Sequence, residues 1–150
     1  MVRYDMLTEW RFKAPPRRVW AVVDDVGSMA AWWPGIKKAQ IRGAGKKLKP
    51  GTAIDLVVKG IIGDLEFSVE AVEVEPARKL LFKSSGDLKG FGLCTLEKEG
   101  DETLARLRWV VATTGWLMNL AGLVLKPLLK RRHDRVMAEG YKVLKKRLEG

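Results

Sequence analysis

The sequence predicts an α+β fold, with a curved antiparallel sheet wrapped around one long C-terminal helix. Three observations carry this. Residues 36–113 divide into short runs of alternating polar and apolar residues, with brief turns between them, as neighbouring antiparallel strands do. Residues 115–149 keep helical periodicity over a length that no other stretch approaches. Between the first alternating run and the rest lie a Pro-Pro break and two short helical runs. The order is therefore strand, two short helices, six strands and a long helix, seven strands in all, with the helices on one face of the sheet.

A chain of 150 residues is expected to form one domain, 1–150, with enough mass for a real core. Its 28 Lys and Arg against 18 Asp and Glu give a formal charge of +10, which suits anionic partners or simply a solvated surface. Six Trp can fill a core or line a pocket for flat or apolar molecules. Cys94 is the only cysteine, so no intramolecular disulfide forms and a reducing compartment fits. The N-terminus starts directly on an alternating pattern, so no signal peptide is expected. The longest apolar run, Trp116 to Leu125, is too short to span a bilayer and contains Asn119. The expected location is cytoplasmic, with peripheral membrane association as an option.

Tyr4 to Lys13 places Tyr4, Met6, Thr8, Trp10 and Phe12 on one face, as in a strand with one side buried. Pro15-Pro16 ends it and opens a helix to about Asp24. Ser28 is expected to cap a second short helix ending at Pro34-Gly35. Residues 36–42 read as the second strand. The basic turn 43–51 has some of the character of a phosphate loop, but its spacing is wrong and a strand follows; a solvated hairpin is the expected reading. In residues 52–59, Ile54, Leu56 and Val58 share a face. In residues 65–75, Phe67 and Val69 share a face, and the phase then slips so that Val72 and Val74 alternate with Glu73 and Glu75, which predicts a bulge. Runs 79–85, 90–98 and 103–113 complete the sheet, the last setting Leu107, Trp109 and Val111 against Arg106 and Arg108. The long helix is apolar nearly all round before Pro127, where a kink is expected, and amphipathic and basic after it. Gly140 lies on the apolar stripe of the second part, where glycine implies close approach or a need for room.

Phe12-Lys13-Ala14-Pro15-Pro16-Arg17-Arg18-Val19-Trp20, then Asp24, then Trp32-Trp33-Pro34-Gly35-Ile36, together with Lys49-Pro50-Gly51-Thr52 and the long terminal helix, resemble the START-like (SRPBCC, Bet v 1-like) superfamily with the helix-grip fold. The branch it most resembles is the polyketide cyclase/dehydrase and lipid-transport family. The resemblance covers essentially the whole chain and implies an elongated cavity between sheet and terminal helix, opening near the short helices and the strand loops. The cavity-facing set it implies is Trp10, Ile54, Leu56, Phe67, Phe82 and Trp109 from the sheet, Trp33 near the mouth, and Trp116, Leu120 and Gly140 from the helix. The first half of that helix, Trp116 to Leu125, is expected to form a wall or lid.

Catalytic chemistry is hard to assemble from this sequence. His133 is the only histidine and lies among Arg and Lys, which argues against a Ser-His-Asp or Cys-His set. One Cys and one His do not make the usual zinc or haem ligand sets, so no metal or cofactor is expected. Adjacent Asp24 and Asp25 point different ways on a helix and suit helix termination better than acid–base work. Cys94 reads as a structural thiol. Thr8, Thr95 and Tyr4 are the polar handles on offer. The expected function is binding or transport of a hydrophobic small molecule (lipid, quinone or polyketide-like) without catalysis. The alternatives are a polyketide cyclase or aromatase acting on a carrier-bound substrate, and an anionic-membrane-surface module. The expected partners are the apolar ligand and, through the basic helix, an anionic membrane surface or an acyl carrier protein. Nucleic acid is not expected, because aromatics other than Tyr141 do not interleave with the basic residues.

Overall fold

In the computed structural model, residues 2–42, 47–60 and 63–149 are described, with the side chain of Leu117 left aside. The basic turn at 43–51 therefore lies partly outside the described residues, as does the turn between the third and fourth strands. Strands β1 (Arg3–Phe12), β2 (Ile36–Arg42), β3 (Ala53–Val58), β4 (Leu65–Glu75), β5 (Lys79–Gly86), β6 (Leu88–Glu99) and β7 (Glu102–Thr113) form one sheet in the order β1-β7-β6-β5-β4-β3-β2. Every neighbouring pair is antiparallel. Helices α1 (Pro16–Asp24) and α2 (Met29–Trp32) lie between β1 and β2, and α3 (Trp116–Glu149) closes the chain. This is the α+β helix-grip architecture that the sequence predicts.

Proline sets the start of α1: Pro16 occupies its first turn, where the missing N–H costs nothing. Val19, Trp20 and Val22 form the buried side of α1. The Asp24 carboxylate ends the helix and accepts the Leu48 N–H at 2.7 Å, tying α1 to the loop before β3. The cap expected from Ser28 is absent. A 3₁₀ turn over Val26–Ser28 runs directly into α2, so the Met29 N–H bonds the Val26 carbonyl and no side chain is needed.

The predicted bulge is present, with the register of β4 against β5 shifting between Ala71 and Glu73. Its consequence differs in detail from the sequence pattern. Ala71 continues the inward series of Phe67 and Val69, and Val72 is the extra residue, left 44% exposed. Val74 then returns to the core. One additional residue thus keeps the inner face apolar while bending the strand.

The kink in α3 is also present. Leu125 has φ −115° and ψ 19°, outside helical geometry, two residues before Pro127. The two halves are held differently. Asn119 Oδ1 accepts from the Thr113 hydroxyl at 2.6 Å and from the Val2 N–H at 3.4 Å, fastening the first half to the sheet's end. In the second half the Tyr141 hydroxyl donates to the Arg11 carbonyl at 2.9 Å, Glu149 accepts from the Lys13 N–H at 3.1 Å, and Leu144 and Leu148 are buried.

Candidate functional site: a cavity between sheet and helix

A cavity of about 350 Å³ lies between the inner face of the sheet and α3. Strand alternation builds it. Tyr4, Met6, Thr8, Trp10 and Phe12 of β1 all face it, as do Ile54, Leu56 and Val58 of β3, Phe67, Val69 and Ala71 of β4, and Leu107, Trp109, Val111 and Thr113 of β7. From α3 come Met118, Leu129, Arg132, His133, Val136, Met137 and Leu144.

Two aromatic groups shape the space. Phe82 and Phe67 pack against Trp109, with ring centroids 5.3 and 6.1 Å apart. This group crosses β6 at Gly92, where a Cβ would overlap both Phe82 and Trp109. The second group sits nearer α3: Trp10 contacts Trp33 and Tyr141, each at 5.6 Å, and Trp33 stacks on Trp32 at 5.3 Å. The Trp33 indole N–H donates to the Val136 carbonyl at 2.8 Å. Gly140 leaves room for that indole, since a Cβ would overlap it. Gly140 therefore makes space for Trp33 and does not itself line the cavity.

Of the residues expected to face the cavity, the structure brings together Trp10, Trp33, Ile54, Leu56, Phe67, Phe82 and Trp109. Trp116 and Leu120 stand elsewhere, 77% and 54% exposed on the outside of α3. The expectation that the first half of α3 forms a wall is corrected accordingly. Its inward side is made by Met118 and the small buried pair Ala121 and Gly122, because Val2 and Tyr4 come close; a Cβ on Gly122 would be about 2.9 Å from the Tyr4 hydroxyl. The bulky apolar residues are turned outward by default.

Polar groups on the lining are few. Cys94 faces the cavity, and burial pushes its thiol up to about 11, away from thiolate chemistry. Thr8 and Tyr4 line it and Thr95 does not. No carboxylate lines it among the described residues. The sequence reading sets Arg132 among the basic residues flanking the apolar stripe and His133 at the edge of that stripe, and it places neither on the cavity. The signal was their spacing: Leu129, Arg132, His133 and Val136 fall at i, i+3, i+4 and i+7, a single helical face. Burial holds His133 below the ordinary histidine range.

A seven-stranded sheet gripping a kinked terminal helix around an apolar cavity is the helix-grip fold. The family described as "Polyketide cyclase / dehydrase and lipid transport" matches residues 7–149, and the chain belongs to it. Among solved structures it is similar to a protein of Thermus thermophilus, at 18% identity over 97% of both chains with a TM-score of 0.80. It is similar to the Zhui aromatase/cyclase of a Streptomyces species, at 17% identity over 99% of this chain and 94% of that one, TM-score 0.75. A START superfamily protein of Mycobacterium smegmatis aligns at 16% identity over 97% of both chains, TM-score 0.72. These likenesses establish the shared fold. No curated protein matches the chain in sequence.

Proposed function

We propose that the protein binds and carries a hydrophobic small molecule in the cavity between the sheet and α3. The observation that carries this reading is a 350 Å³ space whose lining is almost wholly apolar and aromatic, within the usual size range of ligand pockets. Catalysis by a cyclase would need groups that polarise carbonyls or move protons. Among the described lining residues Arg132 and His133 are groups of that kind, but no carboxylate accompanies them and the thiol is held protonated. Native mass spectrometry and solvent extraction of the purified protein, then titration with lipids and quinones, test the reading. A co-purifying apolar molecule or saturable binding is expected; neither appearing rejects it. A changed product profile on incubation with a minimal polyketide synthase and its acyl carrier would favour the cyclase instead.

A second reading concerns where the cargo is collected, and the outer face of α3 favours it. Trp116, Leu120, Leu123 and Val124 recur at helical spacing on one side, and all are more than half exposed. Lys130 and Arg131 follow, both exposed, in a chain of charge +10. An apolar stripe running into cations suits the interface of an anionic membrane. No helix among the described residues is long and apolar enough to cross a membrane. Vesicle sedimentation with and without phosphatidylserine tests surface docking, with Leu120→Asp expected to weaken it at least tenfold. Binding indifferent both to lipid charge and to Leu120→Asp rejects it.

A further inference from the structure

One part of the cavity is chemically unlike the rest. Arg132 and His133 enter the lining from α3, and Lys59 enters it from the end of β3. Local contacts bring these elements together. The Lys59 N–H donates to the Gly35 carbonyl at 2.8 Å, and Gly35 sits so close to α3 that a Cβ would lie 3.2 Å from Val136. Arg132 is one turn before Val136 on the same helix. The lining at this end thus carries a lysine, an arginine and an imidazole, with Trp33 and Ile36 alongside.

These groups lack protein partners. Arg132 Nε and His133 Nδ1 are both buried without a hydrogen bond. His133 Nδ1 lies 3.6 Å from Asp134 Oδ1, beyond hydrogen-bond reach, and the Asp134 carboxylate is 78% exposed. Neither Lys59 nor Arg132 forms an ion pair among the described residues. Arg106, the other cation on the lining, differs: its guanidinium pairs with Glu9 and Glu97 on the outer face. A buried donor left unpaired is costly, and a guanidinium does not escape the cost by losing its proton.

We infer that the cargo is an amphipathic acid, its apolar body filling the cavity and its carboxylate held by Arg132, with His133 and Lys59 beside it. The inference rests on the carrier reading above and narrows its ligand class. A carboxylate offers two acceptor oxygens, which match the paired donors along one edge of a guanidinium. A neutral His133 ring supplies one further N–H, and Lys59 supplies a mobile charge at the rim. No acidic group among the described lining residues competes for this position.

The test compares four single-chain probes of equal length: palmitic acid, methyl palmitate, hexadecanol and hexadecyl phosphate, titrated by displacement of a fluorescent apolar reporter. The acid is expected to bind at least tenfold more tightly than the ester and the alcohol, since hydrogen bonds to charged groups are worth about tenfold to a hundredfold. Arg132→Met should erase that preference and raise the unfolding midpoint of the empty protein, since it removes a buried donor that has no partner. Arg132→Lys should restore only part of it, because an ammonium lacks the planar fork. Equal binding of acid, ester and alcohol, or an acid preference that survives Arg132→Met, overturns the inference and leaves the carrier reading standing. Tighter binding of the phosphate than of the acid overturns the choice of carboxylate. Failure of all four probes, with no displacement of the reporter, removes the carrier reading itself and this inference with it.

Discussion

At Gly140 helix propensity and tertiary packing pull in opposite directions. Alanine in place of glycine inside an exposed helix would stabilise it by about 1 kcal/mol. Here the added Cβ would overlap the Trp33 indole, whose N–H is bonded to the Val136 carbonyl one turn away. Overpacking of that kind costs about 1–3 kcal/mol, so the packing term wins. Gly140→Ala is expected to lower stability in urea unfolding and to move the tryptophan emission; a gain in stability would mean that Trp33 does not rest on α3. Cys94 offers a second residue-scale prediction. Its ordinary value of 9.0 is pushed to about 11 by burial, so the folded thiolate population at pH 8 falls about a hundredfold. Alkylation by iodoacetamide should then be slow until the protein unfolds. The linkage has a sign. The unfolded thiol ionises above pH 9 while the folded one stays protonated, so this group's contribution is intact below pH 9 and is lost between pH 9 and 11. Cys94→Ala should lack that part of the alkaline slope, and identical slopes for the two proteins would contradict the assignment.

Among the elements, the strands were legible and α3 only half so. A period of two assigns a side chain to one of two faces, so the inward series of β1 and of β3 followed directly from alternation. The slip of phase at Val72 announced the bulge, although the pattern grouped Val72 with Val74, whereas the structure keeps Ala71 inside and leaves Val72 exposed. In α3 the apolar run from Trp116 to Leu125 gives no contrast between faces, and no local signal says that Gly122 and Ala121 are the inward pair. That choice is made by Val2 and Tyr4, more than a hundred residues away. For the same reason the place of Arg132 and His133 on the cavity was not legible: the charge of one and the stripe-edge position of the other were visible, and the sheet that encloses them was not. Pro127, by contrast, acts locally and was legible. It removes an N–H that would bond the Leu123 carbonyl, and Leu125 leaves helical geometry beside it. Amides over 123–129 should therefore exchange with deuterium faster than those over 137–148, where Tyr141, Leu144 and Leu148 clamp the helix. Pro127→Ala, which restores the missing N–H, should raise protection in the first window only. Uniform protection along all of α3 would show that the kink is not a weak point.

For the whole molecule, the question is what an unfilled centre costs. At about 24 cal/mol per Å³ of residual cavity, a space of 350 Å³ corresponds to about 8 kcal/mol. A domain's entire stability is about 5–15 kcal/mol. Water entering through the mouth offsets part of that cost, so the figure is a ceiling, yet it is large enough to rank the cavity among the chief terms. A protein that keeps such a space gives up stability that ordinary core residues would recover, and a ligand that fills it should return some of the loss. Ala105, on β7 and facing inward, tests this with one substitution. Ala105→Leu adds three carbons to the lining, and at about 0.8 kcal/mol per buried methylene it should stabilise the empty protein by about 2 kcal/mol. It should also shrink the ligand's affinity and its effect on the unfolding midpoint, because stabilisation by binding follows from occupancy. Stability and binding would then move in opposite directions, the mark of a cavity kept for use. If Ala105→Leu destabilises the protein while binding is unchanged, the space beside β7 is already filled by its neighbours and the ligand lies elsewhere.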